Sequence, residues 1–428
     1  MPEPDTAKLR FSGALSAYEH PGFAADQITA QIIDQLGDGP DLVLLFVSGP
    51  LVHAVGAIAQ AVREHTRAGH LIATTVCGVL AGAMELERRA GVAALAARLP
   101  GITVSPLRHG DFMAVHDAGD DAGRVLRDLA RADGDLAATI MLADPFSVPL
   151  NGMVPRLGRA HVGVDGDRHD AVLFGGVASA ASERGGNTLI IDDHTTDKGV
   201  VGVALSGPLR CDMAVSQGCR PVGENAVVTR SKGNLLFELG GRPAIEVIRE
   251  HVGSLAETDR TLLSGGLFLG RVIDEYKKHA GRGDYLIRNV LGADEGSGGV
   301  AVADIIPPGR TVRLHLRDAN TAAEDLALLL DAQAIHGRPD GALLITCNGR
   351  GERFFGKQNH DAVAIQRAFL PAEAGPEAAK SGEAIEAGRN EIPLAGFFAA
   401  GEIGPIGLET FVHGYTACLG CFRGTGAS

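Results

Sequence analysis

The chain has 428 residues, of which 45% are hydrophobic and 21% charged, so it can bury sizeable cores and is not globally disordered. At roughly 150 residues per domain, this length predicts two or three domains. The formal net charge of −13 disfavours binding to nucleic acid and adhesion to an anionic membrane surface.

The chain lacks the sequence features of secretion and membrane insertion. Its start, MPEPDTAKLRF, does not have a basic segment followed by an apolar one. The longest apolar stretch, residues 42–62, is interrupted by Ser48, Gly49, Pro50 and His53, which is typical of a strand plus a helix rather than a membrane span. We therefore expect a cytoplasmic protein without membrane insertion, whose six cysteines are unbridged thiols.

The first predicted elements form a strand–helix–strand unit. Residues 42–47 (LVLLFV) are a continuous apolar run that ends at a Ser-Gly-Pro turn, as a fully buried strand does. Residues 54–68 have a helical pattern closed by Gly69, which suits a helix C-cap. Residues 71–76 (LIATTV) predict a second buried strand, which ends at a Cys-Gly turn.

In the middle of the chain the pattern changes to short β-type runs separated by turns rich in Gly, Pro and Asp. Such spacing predicts hairpins, so a partly antiparallel sheet with helices on one face fits better than a purely doubly wound fold. The runs are 139–142, 171–174, 188–191, 199–205, 226–229, 285–290, 300–305 and 311–316.

The order strand, helix, strand returns near the C-terminus. It is preceded by a predicted helix over residues 324–336, which a capping box of Thr321 and Glu324 opens and Gly337 closes. The elements that follow are a strand at 342–346, a helix at 360–369, an exposed loop or mobile helix at 371–388, and a strand at 392–399.

The two strand–helix–strand units are similar in amino-acid sequence. LVLLFVSGP matches ALLITCNGRG, and LIATTVCGVLAGAMELE matches LAGFFAAGEIGPIGLET. Either the halves are related by an internal repeat, or two strand–turn–helix units are alike by chance. We predict a mixed α/β, α+β-like fold with two domains, each a partly antiparallel sheet covered by helices. The predicted division is a tail at 1–20, a domain at 21–210 and a domain at 211–428.

Three blocks of the second half resemble the FIST C-terminal domain. They are SQGCRPVGENAVVTRSKGNLLFELGGRPAIEVI at 216–248, ALLITCNGRGERFFGKQNHD at 342–361, and PLAGFFAAGEIGPIGLETFVHGYTACLGCF at 393–422. The first half is similar to the FIST N-terminal domain in its Ser-Gly, Cys-Gly and Phe-Gly-Gly turns. One family motif, Gly-Ser/Cys-x-x-Gly-Glu, is altered here to CGVLAGAME at 77–85.

The resemblance to the FIST family implies a sensory module that binds a small ligand, with amino acids the commonest suggestion. In bacteria these domains often stand beside signalling genes or are fused to signalling domains, and one branch binds haem and senses nitric oxide. We see no F-box-like segment and no appended output domain, so we expect the signal to pass by contact with a partner protein. Self-association as a homodimer is left open.

The candidate ligand site joins two Gly-rich turns that follow predicted strands. Backbone N–H groups at Gly349 and Gly351 favour an anion, and Arg350 can pair with a carboxylate through two hydrogen bonds. Glu402 is the candidate partner for an ammonium group. The alternative is that Arg350 and Glu402 form a structural ion pair. The predicted ligand-binding residues are Cys347, Asn348, Gly349, Arg350, Gly351, Gly401, Glu402, Gly404 and His413.

Histidines and cysteines near these turns allow two other functions. His360 or His413 could hold a non-covalent haem, although a hydrogen-bonded structural histidine is the favoured explanation of either position. Cys347 and His360 could be a thiol nucleophile and its base, oriented by Asp361 or Glu402. Without haem no cofactor is expected, and a scaffold that binds no ligand is a further alternative.

Other chemistry-bearing patterns favour structural roles. Cys418 and Cys421 lie three apart in a predicted strand, so they should point to opposite faces and not chelate a metal together. The run Asp192-Asp193-His194 is typical of a solvated turn. We find no Gly-x-Ser-x-Gly, His-Glu-x-x-His or phosphate-loop motif, which favours a sensor over an enzyme.

Overall fold

The computed structural model describes residues 8–132, 135–162, 171–277, 279–370 and 391–425. The chain forms two compact units. The first contains Met1–Val215, Ala327–Val412 and Thr416–Ser428, and the second contains Ser216–Leu326 and His413–Tyr415. The loop predicted at 371–388 lies outside the described residues. The predicted domain division stays a prediction, although residues 10–16, within the predicted tail, form a strand.

The elements up to residue 217 are β1 (Arg10–Ser16), α1 (Pro21–Leu36), β2 (Leu42–Ser48), a 3-10 helix (Gly49–Ala54), α2 (Val55–Thr66), β3 (His70–Val76), β4 (Gly78–Ala81), β5 (Met84–Glu87), β6 (Gly91–Arg98), β7 (Thr103–Leu107), α3 (His109–Asp117), a 3-10 helix (Gly119–Asp121), α4 (Ala122–Leu129), β8 (Leu136–Ala143), α5 (Leu150–Arg159), β9 (Val172–Val177), β10 (Leu189–Ile191), β11 (His194–Thr196), β12 (Val200–Ser206) and β13 (Leu209–Gln217).

The elements from residue 219 are β14 (Cys219–Lys232), β15 (Leu235–Leu239), β16 (Arg242–Pro243), α6 (Ala244–Gly253), α7 (Glu257–Leu262), a 3-10 helix (Leu263–Gly265), β17 (Leu267–Val272), β18 (Tyr285–Asp294), β19 (Gly299–Val302), β20 (Thr311–Arg317), α8 (Ala319–Ala334), β21 (Gly341–Cys347), α9 (Glu352–Phe355), α10 (His360–Ala368), β22 (Leu394–Ala399), β23 (Glu402–Ile406), β24 (Glu409–His413) and β25 (Thr416–Gly424).

Three six-stranded sheets of the first unit follow one plan. Each has a central parallel pair, and an antiparallel strand lies on either side of it. The mixed α/β class expected from the sequence is therefore confirmed. The strand orders are β1-β6-β2-β3-β10-β11, β7-β12-β8-β9-β23-β24 and β13-β25-β21-β22-β4-β5. This strand arrangement occurs three times among the described residues. In chain order, one repeat lies between the two that the sequence revealed.

Each copy gives its hairpin to another sheet. The hairpin β4–β5 follows β3 in the chain but pairs with β22, and β10–β11 follows β9 but pairs with β3. The hairpin β23–β24 follows β22, and β23 pairs with β9. The three exchanges form a cycle, so no sheet is complete without strands from another copy. We call the copies repeats I (residues 10–98), II (103–206) and III (209–217 and 319–424).

The core of the first unit lies among its three sheets. The central strands are buried on both faces, as continuous apolar runs predict. Phe46 of repeat I contacts Phe397 of repeat III, with ring centroids 4.7 Å apart, and Phe174 of repeat II lies 6.1 Å from Phe422. Fully burying such a side chain contributes about 1.5–3 kcal/mol, so the shared core stabilises all three repeats together.

The carboxyl ends of β3, β9 and β22 converge. The hydroxyl group of Ser179, just after β9, accepts a hydrogen bond from Cys77 N at 3.0 Å and donates one to the carbonyl of Phe398. Val177 N donates to Gly401 O at 2.9 Å. The turns that carry the candidate site therefore lie where the three repeats meet.

Two helix boundaries differ from the sequence expectation. Helix α2 ends before Arg67, which adopts the left-handed conformation as its C-cap, so Gly69 is not the cap. Helix α8 begins before the predicted capping box, because the Asp318 carboxylate accepts hydrogen bonds from Asn320 N and from the Thr321 hydroxyl, both at 3.0 Å. The sequence placed the start at Thr321 because Thr-x-x-Glu fits a capping box.

The second unit is built from antiparallel strands that close on themselves. The strand order is β14-β20-β17-β18-β19-β15-β16, and β14 also pairs with β15. Val228, Leu236 and Leu314 fill the interior, and α6 contributes Val247 and Ile248 to the same core. In the part of the chain that the structure describes, no helix is long and apolar enough to span a membrane.

Candidate functional site

The two predicted turns lie at the same edge of one sheet. Cys347 ends β21 and pairs with Ala399, which ends the parallel neighbour β22. Arg350 N donates to the Cys347 carbonyl at 2.8 Å and closes the first turn, and Glu402 begins β23 after the second. The adjacency of the turns follows from the parallel pairing that the two apolar runs predict.

Arg350 is fully buried and is bound by Asp361. Its Nε and Nη2 atoms donate to the two Asp361 carboxylate oxygens at 2.9 and 3.0 Å, and the guanidinium is 0% exposed. Burial alone would raise the pKa of Asp361, but attraction to Arg350 and hydrogen bonds from His360 and Arg350 outweigh it and hold that pKa well below its usual range. The carboxylate partner of Arg350 is thus Asp361, and not Glu402 as the structural alternative assumed.

Glu402 is fully buried and keeps a proton at neutral pH. Burial raises its pKa to about 8, although hydrogen bonds from Thr416, the nearby Arg350 guanidinium and an interaction with the Cys347 thiol lower it in part. Its Oε2 atom accepts from the Thr416 hydroxyl at 2.7 Å and from Thr416 N at 3.2 Å. Because Oε2 accepts twice, Oε1 is the oxygen that can carry the proton and donate it in a hydrogen bond.

Two polar atoms of this cluster lack hydrogen-bond partners among the described residues. They are Nη1 of Arg350 and Oε1 of Glu402, and neither is accessible to solvent. Leaving a buried donor or acceptor unpaired costs about 1–3 kcal/mol, and more for a charged group. The charge of Arg350 acts on the Glu402 pKa, so the two groups belong to one cluster. Arg350 Nη1 can donate a hydrogen bond, and Glu402 Oε1 can donate one when it carries the proton.

The other predicted ligand residues surround this cluster in different ways. Cys347 is buried, its sulfur accepts from Gly349 N at 3.4 Å, and Asn348 is exposed. Gly351 has φ +133°, whereas Gly349 does not need a positive φ. A Cβ on Gly404 would lie 3.0 Å from the Cys418 sulfur, which makes Gly404 a packing residue.

Three other predicted residues contribute no unpaired side-chain atom to the cluster of Arg350 and Glu402. Gly401 forms a backbone hydrogen bond with β9. His413 is buried and belongs to the second compact unit. The His360 ring stacks on Phe355 with centroids 3.5 Å apart, and its Nδ1 atom bonds to Asp361 at 2.9 Å. These contacts give His360 a structural explanation, and haem ligation stays a prediction.

The repeats provide an internal comparison for Arg350. The parallel pairs end at equivalent residues, which are Ser48, Ala143 and Cys347. Three residues further on, repeat I has Leu51 and repeat II has Phe146 where repeat III has Arg350. Leu51 is 1% exposed, so an apolar side chain fills this position well. The shared architecture therefore does not require a buried cation here.

The same comparison applies to Glu402. The hairpin strands pair in register as Thr74 with Leu189, Phe397 with Val79, and Gly175 with Ile403. The residues that precede these hairpin partners are Thr188, Gly78 and Glu402. Only repeat III has an ionisable side chain at this position. Both members of the unpartnered pair are thus additions to the repeated fold.

Two acidic residues near the site cannot be found from sequence alone. Glu85 and Glu87 lie on β5, which reaches the site because β4 pairs with β22. Burial, with repulsion from Asp361, raises the pKa of Glu85 to about 8. The only local signal was the acidic end of CGVLAGAMELE, and nothing in that segment predicts a partner strand more than 300 residues away.

The predicted structural roles of two other patterns agree with the geometry. Cys418 lies beside Glu402 and Thr416, whereas Cys421 lies beside Cys211, so the two cysteines face opposite sides of β25. Asp192 is in a turn and accepts hydrogen bonds from His70 Nδ1 and Leu71 N, both at 3.0 Å. Among the described residues no group of three His, Cys, Asp or Glu is placed to hold a metal.

Comparison with known families matches most of the chain. The FIST N domain matches residues 41–242 and the FIST C domain matches residues 244–405. The chain therefore belongs to the FIST family, whose domains are generally small-ligand sensory domains.

Mycobacterial relatives match over nearly their whole length. A protein of Mycobacterium tuberculosis strain H37Rv, described as uncharacterized, is 36% identical over 403 residues, which cover 93% of this chain and 96% of the relative. A similarly described protein of Mycobacterium bovis is 35% identical over 405 residues, covering 93% and 95%. A crystal structure of chorismatase matches 97% of this chain and 99% of its own chain at 10% identity, with a TM-score of 0.28.

Proposed function

We propose that the chain is a non-enzymatic sensor that binds a small carboxylate, such as an amino acid or organic acid, at Arg350 and Glu402. The observation that carries this proposal is the pair of buried polar atoms without partners, Nη1 of Arg350 and Oε1 of Glu402. One carboxylate has two oxygens and can accept from both donors at once. Binding would remove two unpaired donors from the protein interior, which is a direct source of affinity.

The protonated state of Glu402 changes its proposed role. A buried glutamate with a pKa of about 8 is mostly neutral at pH 7, so it pairs poorly with an ammonium group. It is better suited to donate a hydrogen bond to the same anion that Arg350 binds. Asp361 keeps the guanidinium oriented and neutralises its charge, so the ligand is recognised by hydrogen bonds more than by net attraction.

A thermal-shift screen of amino acids and small organic acids tests this proposal. A ligand that binds only the folded protein stabilises it by about 2.7 kcal/mol at a concentration of 100 Kd. The diagnostic variants are Arg350→Lys, which removes the Nη1 donor and keeps the charge, and Glu402→Gln, which keeps the shape and removes the titrating group. We expect a ligand that shifts the wild-type melting temperature to lose most of that shift in Arg350→Lys.

Arg423→Lys is the matched control. Arg423 is also buried, lies in the same sheet and bonds to Asp212 at 2.7 Å, so its replacement has a similar structural cost at a distance from the site. The control should keep the full ligand shift. If Arg350→Lys and Arg423→Lys respond to the ligand alike, Arg350 does not bind it.

The signal would be passed to a partner protein. One reason is the sensory role of FIST domains. The other is the position of the site where three repeats meet, because a ligand bound there would contact more than one repeat. Crosslinking followed by mass spectrometry, with and without the ligand found in the screen, tests this step. A set of crosslinked proteins that does not change on ligand addition contradicts it.

A further inference from the structure

The segment that follows Arg350 packs over its buried guanidinium. Residues 351–359, which we call the lid, contain the four-residue helix α9. The Phe355 ring lies over the Arg350 guanidinium at 5.2 Å and stacks on His360. A ligand that reaches Nη1 of Arg350 therefore needs a path that the closed lid does not provide.

The lid itself is mostly exposed and has a glycine at each end of its helix. Glu352, Arg353, Gly356, Lys357 and Gln358 are exposed to solvent. Gly351 has φ +133° and Gly356 has φ +69°, conformations that glycine adopts at low cost. A segment with few buried contacts and a permissive residue at each end of its helix is a suitable place for a local hinge motion.

Acidic residues of the β4–β5 hairpin hold both ends of the lid. Glu87 Oε1 accepts from Glu352 N at 2.7 Å at the first end. At the second end Glu85 N donates to Asn359 Oδ1 at 2.8 Å, and Glu85 Oε1 accepts from Ala362 N at 2.9 Å just beyond the lid. The hairpin comes from repeat I and the lid from repeat III, so the closed state depends on the exchange of hairpins.

We propose that residues 351–359 are a lid that opens by rotation at Gly351 and Gly356 and that Glu87 acts as its latch. Opening removes Phe355 from the guanidinium and breaks the hydrogen bond between Glu87 and Glu352 N. The inference rests on the proposed function only in naming what the lid covers, because the two glycines and the Glu87 hydrogen bond are features of the protein alone. The latch is a charge-assisted hydrogen bond, which is stronger than a neutral one.

Limited proteolysis with trypsin, resolved by peptide mass spectrometry, measures the opening. Arg353 and Lys357 are trypsin sites within the lid, and cleavage there follows the population of the open state when opening and closing are fast. We expect Glu87→Gln to accelerate cleavage at these two sites by about threefold to tenfold, since it replaces a charged acceptor with a neutral one. Glu64→Gln, at an exposed site on α2, is the control and should leave the rate unchanged.

The hinge is tested by a second pair of variants. Gly356→Ala places a side chain at a positive φ and should favour the open lid, which relieves that strain. Gly337→Ala is the matched control, because Gly337 also has a positive φ, +80°, and a Cβ at either glycine would meet nothing within 4 Å. Only Gly356→Ala should accelerate cleavage at Arg353 and Lys357.

Hydrogen exchange separates local opening from global unfolding. In Glu87→Gln the amides of residues 352–356 should exchange faster while those of β21 stay protected. The lid is refuted if Glu87→Gln and Gly356→Ala cleave no faster than their controls, or if β21 loses protection in parallel. No ligand is present in these measurements. If the lid opens but no ligand shifts the melting temperature, the proposed function is contradicted and the lid is not. If a ligand shifts the melting temperature but the lid does not open, the lid is contradicted and the proposed function is not.

Discussion

Arg350 donates two hydrogen bonds to Asp361 in the interior of the protein, at 2.9 and 3.0 Å, and keeps its third nitrogen unpaired. A bidentate pair of this kind uses one lone pair on each carboxylate oxygen and only part of the donor capacity of the guanidinium. Asp361 also accepts from the Thr346 hydroxyl at 3.0 Å and from His360 at 2.9 Å. The carboxylate thus orients the guanidinium and leaves its Nη1 atom without a hydrogen-bond partner among the described residues.

Removing the carboxylate should destabilise the fold strongly. We expect Asp361→Asn to lower the free energy of unfolding by about 3–5 kcal/mol, because it leaves a buried guanidinium without a counter-charge. Urea unfolding followed by circular dichroism measures the change. The control is Asp193→Asn, where the carboxylate is 90% exposed and the loss should stay within about 1 kcal/mol. Equal losses in the two variants would contradict the importance of the buried pair.

Replacing both partners should separate stability from ligand binding. In Arg350→Leu/Asp361→Leu the position of Arg350 takes the residue that repeat I has at Leu51. Since apolar replacement of a buried ion pair is often neutral or stabilising by about 1–4 kcal/mol, we expect the double variant to unfold near the wild-type midpoint. Any ligand shift seen in the wild type should disappear. A double variant as unstable as Asp361→Asn would show that the cluster maintains the fold.

The stability of the protein should depend on pH through Glu402. Its pKa is raised from 4.5 to about 8 in the folded state, so the folded protein binds the extra proton and the associated stability is fully present below pH 4.5. That stability is lost as pH rises through 8, at a slope of about 1.4 kcal/mol per pH unit. We expect Glu402→Gln to have a flatter profile than the wild type in unfolding experiments between pH 5 and 8.

Part of this pH dependence should remain in Glu402→Gln, because Glu85 also has a raised pKa. Burial and repulsion from Asp361 raise its pKa to about 8 as well, so its contribution has the same sign. The control is Glu64→Gln, which should reproduce the wild-type slope. Identical slopes in wild type, Glu402→Gln and Glu64→Gln would mean that Glu402 is ionised in the folded protein.

Cysteine labelling distinguishes a sensor from a thiol enzyme. Cys77 is half-buried, whereas the other five cysteines are buried. Burial raises the pKa of Cys421 to about 12 and that of Cys418 well above its usual range. We expect iodoacetamide at neutral pH to modify Cys77 first and the others much more slowly, since the thiolate is the reactive form. Modification of Cys347 before Cys77 would instead support the enzyme built on Cys347 and His360.

Much of the local structure could be predicted because strands buried on both faces are continuous apolar runs. Residues 42–47 and 342–346 became β2 and β21 with one residue added at one or both ends. Repeat II was missed as a strand–helix–strand unit for a physical reason. Its helix α5 contains Pro155 and two glycines, so its sequence has a weak helical pattern, and packing against β9 and β24 stabilises it instead.

The site was predictable only in part. The parallel pairing of β21 and β22 brings the two Gly-rich turns together, as the sequence suggested. Asp361 was noted only as an orienting group, because a carboxylate eleven residues after an arginine has no fixed position until the intervening turn is known. The acidic end of CGVLAGAMELE did not place Glu85 and Glu87 at the site, since their position depends on a strand pairing across most of the chain.

The exchange of hairpins also determines when each sheet can be completed during synthesis. The hairpin β4–β5 leaves the ribosome early, but its partner β22 follows only after roughly 300 more residues, which take about 15–60 s to translate at ordinary rates. During this interval β4 presents an unpaired edge and Glu85 and Glu87 have no lid to hold. We expect the acidic residues of β5 to disfavour edge-to-edge association of the nascent chain during this interval.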